Sequence, residues 1–106
     1  MLLNKKNQHP ILKCMIQAAR EWEWYPDFST MSRGHNGQTG RGVHVFTVYQ
    51  QGKVICNTRQ EFILEELREM IAKQGCTVHA FKWEHSHHRR TREPQTILHA
   101  FCGARS

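Results

Sequence analysis

Three stretches of this 106-residue chain spell nearly the same word: VHVFTV at 43–48, VHAFKW at 78–83 and LHAFCG at 98–103. In each, a histidine stands two residues before a phenylalanine. Successive strand side chains point to opposite sides, so His and Phe at this spacing share one side of a strand. His44, Phe46 and Val48 form one such set, His79, Phe81 and Trp83 a second, and Ile97, His99 and Phe101 a third. The intervening residues, among them Val45, Thr47, Val78, Ala80, Leu98, Ala100 and Cys102, are mostly small or aliphatic. Read together, these sets predict a sheet with one aromatic-histidine side and one aliphatic side. Helices seat well on small aliphatic residues. The aromatic side would then face outward, through Phe46, Phe81, Trp83 and Phe101, where unpaired bases can stack. The opposing expectation is that these large apolar residues form the core.

Two helical patterns flank the words. Pro10 suits a first helical position, and Ile11, Leu12, Met15, Ile16 and Ala19 recur on one side of a helix over 10–24, which Pro26 ends. Over 59–74, Ile63, Leu67, Met70 and Ile71 form an apolar stripe. Thr58 with Glu61 reads as a capping box, and Gly75 fits the left-handed position after the helix. Strands are predicted at 43–49, 53–57, 76–84 and 95–102. The segment 29–42, STMSRGHNGQTGRG, holds four glycines and reads as a flexible loop, and 85–94 reads as a basic hairpin loop. The element order is α-β-β-α-β-β in a single domain over 1–106. It predicts an α+β two-layer sandwich: a four-stranded antiparallel sheet with two helices on one face. Moving the last strand to the front gives the split β-α-β order of a permuted ferredoxin-like fold.

Composition narrows the function. Apolar residues are 39% and charged residues 23% of the chain, which fits a globular domain rather than a disordered one. No apolar run is long enough to span a membrane. Lys5 and Lys6 are followed by no secretory core, and four widely spaced cysteines suggest reduced thiols, so a cytoplasmic setting is expected. The net charge is +6, and residues 1–20 and 28–60 contain no acidic residue at all. A polyanionic partner gains affinity from such a surface by counterion release. Arg33 and Arg41 in the first loop, with Arg89, Arg90 and Arg92 in the second, are the expected phosphate contacts, because guanidinium forks match phosphate oxygens.

The leading expectation is therefore a small nucleic-acid-binding accessory protein, monomeric or homodimeric, without a cofactor. The basic residue and glycine that precede the spaced aromatics of an RNA-recognition sheet are absent. A second expectation is a protein-binding regulator or inhibitor anchored by Trp22, Trp24, Tyr25 and Trp83. A third is a metal-dependent nuclease using Glu21, Glu23 and Asp27 with His35 or His44. No spacing matches a defined catalytic motif, which favours a non-enzymatic role. Cys76, His79, His99 and Cys102 make up a zinc-type ligand set, although positions three apart on a regular strand point to opposite sides.

Overall fold

The computed structural model describes residues 9–35, 42–52, 55–87 and 90–103, with backbone alone at 32–35, 42 and 43. The elements are α1 (Pro10–Glu21), β1 (Phe28–His35), β2 (Gly42–Gln51), α2 (Asn57–Lys73), β3 (Thr77–His87) and β4 (Pro94–Gly103). The four strands form one antiparallel sheet in the order β1-β2-β4-β3.

This order holds one split β-α-β unit and a second parallel strand pair that is likewise split. Strands β2 and β3 are parallel, joined through α2, with β4 between them; β4 and β1 are parallel with β2 between them. Placing β4 ahead of α1 gives β-α-β-β-α-β, so the strand order is that of the permuted ferredoxin-like sandwich expected from the sequence.

Both helices follow from their local sequence. Pro10 takes the first turn of α1, and the His9 Nδ1 accepts a hydrogen bond from the Ile11 N–H at 3.1 Å, capping the helix. Helix α1 ends at Glu21, short of the expected 10–24, because Glu23 turns left-handed (φ 61°) and drops Trp24 into the core. Helix α2 starts at Asn57, with Cys56 at the cap and no side-chain capping bond. The expected Thr58–Glu61 box is therefore not formed, since both residues already lie inside the helix. Gln60 holds this end instead: its buried amide donates to the Ile55 carbonyl at 2.9 Å. Gly75 takes the left-handed conformation (φ 78°) that the sequence assigned to it.

The core lies between the helices and one side of the sheet. Ile11, Met15, Ala18 and Ala19 of α1 and Ile63, Leu67 and Ile71 of α2 are fully buried. They pack with Trp24, Phe46, Val48, Ile55, Leu98, Ala100 and Cys102. Full burial of each larger side chain contributes about 1.5–3 kcal/mol. Among the described residues, no helix is long and apolar enough to cross a membrane.

Three segment expectations are corrected. Residues 28–35 of the glycine-rich stretch are an edge strand, pairing from Phe28↔Tyr49 to His35↔Gly42, and 36–41 lie outside the described residues. Serine and threonine obscure this strand, which lies at the edge of the sheet and exposes Thr30 and Met31. No return strand follows β2: Ile55 and Cys56 are irregular, Asn57 opens α2, and Lys53 and Val54 lie outside the described residues. Strand β2 already has β1 on one edge and β4 on the other, leaving no ladder for a third partner. The basic loop shrinks as well, since β3 runs to His87 and β4 begins at Pro94.

Candidate functional site

Register decides what each side of the sheet displays. Phe46 pairs with Ala100, and Ala100 with Phe81; Val48 pairs with Leu98, and Leu98 with Trp83. Directly opposed residues share a side. Phe46, Phe81 and Trp83 therefore lie beneath the helices with Leu98, Ala100 and Cys102. Phe46 is 2% exposed, with the His9 ring 4.8 Å away. Phe81 and Trp83 pack on the core, Phe81 under the Arg68 guanidinium at 5.1 Å and Trp83 against Trp24 at 5.5 Å.

Phe101 faces the other way. Pairing β4 with the repeated words out of step puts its His-x-Phe on the opposite side from those of β2 and β3. The expected single platform of Phe46, Phe81, Trp83 and Phe101 is thus not formed. A one-residue offset in register moves a whole alternating set across the sheet.

The side away from the helices carries three cross-strand rows. Phe28, Tyr49, Ile97 and Glu84 form one, and Thr30, Thr47, His99 and Lys82 the next. Val45, Phe101 and Ala80 belong to the third. Neighbouring rows are about 6.7 Å apart, two strand residues. A polar row thus runs between two largely apolar ones. The Phe28 and Tyr49 rings stack at 5.2 Å with their planes 19° apart, and the Phe101 ring lies 6.2 Å from that of His99.

A hydrogen-bonded chain crosses this surface at its centre. The Thr47 Oγ1 is 2.9 Å from His99 Nδ1, and His99 Nε2 is 3.0 Å from Glu84 Oε1. The carboxylate only accepts, so Nε2 carries the proton and donates to it. In the neutral ring, Nδ1 is then the acceptor and the Thr47 hydroxyl donates to it. The His99 side chain is 21% exposed and that of Glu84 45%, so the chain is reachable from solvent. Gln95 and Ser86 bond at 3.1 Å along the same side.

The remaining predicted site residues are dispersed. Arg90 and Arg92 are exposed in the β3–β4 connection, where Arg92 is left-handed (φ 59°). Arg41 and Arg89 lie outside the described residues, and Arg33 is described by its backbone in β1 alone. The four zinc-type residues split across the sheet. Cys102 is buried on the helix side, and burial pushes its thiol up to about 11. His99 is on the opposite side, and His79 sits at the β3 bulge with its ring against Gly103. The carboxylates expected of a nuclease are also apart: Glu21 meets Glu66, while Asp27 accepts weakly from the Gln51 N–H at 3.4 Å. Of the protein-binding anchors, Trp24 is fully buried and Trp83 is packed on the core; Trp22 stacks on Phe62 at 4.7 Å, and Tyr25 is exposed.

Thr47, Tyr49, Phe28 and Glu84 escape a reading of the sequence alone. Each belongs to the open side only because β2 pairs with β4 in this register, a contact across about fifty residues, as between Thr47 and His99. The available signal was the Val45-Thr47-Tyr49 alternation, which reads equally well as a buried side. No family model, curated protein or solved structure matches this chain.

Proposed function

We propose that the protein binds single-stranded nucleic acid on the open side of its sheet. Tyr49 with Phe28, and Phe101, are the stacking residues; Lys82, Arg90 and Arg92 are the phosphate contacts. One observation carries the reading: a four-stranded sheet holds partly exposed aromatic rings on the side opposite its helices, in a chain of net charge +6. Sheets of this kind hold splayed bases on their aromatics while cations track the backbone. The four free thiols suit a reducing compartment such as the cytoplasm.

Fluorescence anisotropy with a labelled single-stranded oligonucleotide, titrated at several salt concentrations, tests this. Tyr49→Ala and Phe101→Ala should each weaken binding by about 1–3 kcal/mol, the stacking contribution of one base. Replacing Arg89, Arg90 and Arg92 with alanine should weaken binding and reduce the salt slope. Equal slopes for parent and triple variant would remove the arginines from the interface, and unchanged affinity in the aromatic variants would remove the sheet.

A protein partner is the second reading, favoured by two exposed aromatics: Tyr25, 52% exposed, and Phe62, 43% exposed and stacked on Trp22. Aromatic-anchored binding there would survive moderate salt, whereas phosphate binding would not.

A further inference from the structure

We infer that Thr47, His99 and Glu84 form a nucleophile–base–orienting set that accepts acyl groups from activated esters. The inference rests on the geometry of that hydrogen-bonded chain alone and stands whether or not nucleic acid binds the same surface. A hydroxyl within hydrogen-bond reach of an imidazole, itself held by a carboxylate on the other ring nitrogen, is the arrangement that activates serine and threonine nucleophiles. Such sets are recognised by geometry and roles rather than by sequence spacing.

Each part has its place here. Three adjacent strands hold the three residues, so strand pairing, not loop conformation, fixes their separations of 2.9 and 3.0 Å. Glu84 orients His99 and stabilises the imidazolium; it is a positioning residue. Val45, Tyr49, Ile97 and Phe101 border the polar row and supply an apolar seat for an acyl chain or an aromatic leaving group. Lys82, directly opposite His99, is the cation nearest in register to the developing oxyanion. It stands two strand spacings from Thr47, about 9.6 Å, most of which a lysine stem can cover. The central strands spend their amides on the ladder and so provide no backbone oxyanion hole. This limits the substrate class to esters and thioesters with good leaving groups and excludes amides.

The step balances without a further reactant. The Thr47 Oγ1 attacks the acyl carbon and its proton passes to His99 Nδ1. The bond to the leaving oxygen or sulfur then breaks, and that atom takes the proton from the imidazolium. Water, deprotonated by His99, hydrolyses the acyl-threonine and restores the hydroxyl.

Incubating the full chain with p-nitrophenyl butyrate tests the inference, by following p-nitrophenol release and mapping the acyl group by peptide mass spectrometry. The expected result is an acyl adduct on Thr47, retained in Thr47→Ser and absent in Thr47→Ala. His99→Ala should slow release by about a hundredfold or more, the contribution of a positioned general base. Glu84→Gln should also be slow, with Glu84→Asp recovering part of the rate, a graded rescue that mere structural support would not produce. Circular dichroism on each variant confirms that the sheet is intact. Acylation confined to Cys56 or lysines, or equal rates for parent and Thr47→Ala, overturns the inference. Oligonucleotide binding by the same variants separates this outcome from the nucleic-acid reading.

Discussion

Glu66 of α2 meets Glu21 at the end of α1, and the hydrogen bond between the two carboxyls raises the Glu66 pKa above its ordinary value. Partial burial and the repulsion of Glu21 act in the same direction. Folding therefore favours the protonated form. The stability this group contributes is fully present below the unfolded carboxyl pKa and is lost as pH rises through the higher folded value. Glu66→Gln keeps a hydrogen-bonding side chain and removes the repelled charge. The variant should melt at a higher temperature than the parent at pH 7, with the difference vanishing at about pH 3, where carboxyls are largely protonated. Thermal melts at the two pH values check this. The sequence placed Glu21 at a helix end but could not supply its partner, which comes from another helix 45 residues on.

At the scale of elements, the helices were legible and one strand was not. The apolar periodicity of Ile63, Leu67 and Ile71 is a local property, and all three are fully buried in α2. Its C-terminal stop was equally local: Gly75 adopts φ 78°, a conformation that a Cβ opposes. Gly75→Ala should therefore cost about 1 kcal/mol, read as a lower urea midpoint with an unchanged slope. The start of α2 depends on tertiary contacts. Gln60 reaches the Ile55 carbonyl and lies 3.0 Å from His85 Nε2 of β3, and neither contact is visible in a capping pattern. Strand β1 escaped notice for a related reason. Ser29, Thr30 and Met31 alternate without an apolar side, and they are strand residues only because β2 offers them a ladder.

The whole molecule is a sheet in which both parallel pairs are split by a strand from elsewhere in the chain. If connectivity is secondary to this packing, a circular permutant opened between Arg90 and Glu93, with its former termini joined, should fold. It would run β4-α1-β1-β2-α2-β3. Its far-ultraviolet circular dichroism should match the parent and its unfolding should remain cooperative; loss of either would show that the β3–β4 hairpin must form as a continuous unit.

The expected α-β-β-α-β-β order holds only with β1 in place of the expected strand at 53–57. Local sequence determined the two helices, strands β2, β3 and β4, and the basic charge. Each depends on residue types within a few positions of one another. The tertiary structure alone decided which side of the sheet each His-x-Phe word occupies. A pairing offset of one residue exchanges the two sides of a strand, and nothing within β2 or β4 fixes the offset between them. That choice put Phe46 and Phe81 beneath the helices, put Phe101 and Tyr49 on the opposite side, and brought Thr47, His99 and Glu84 into one hydrogen-bonded chain.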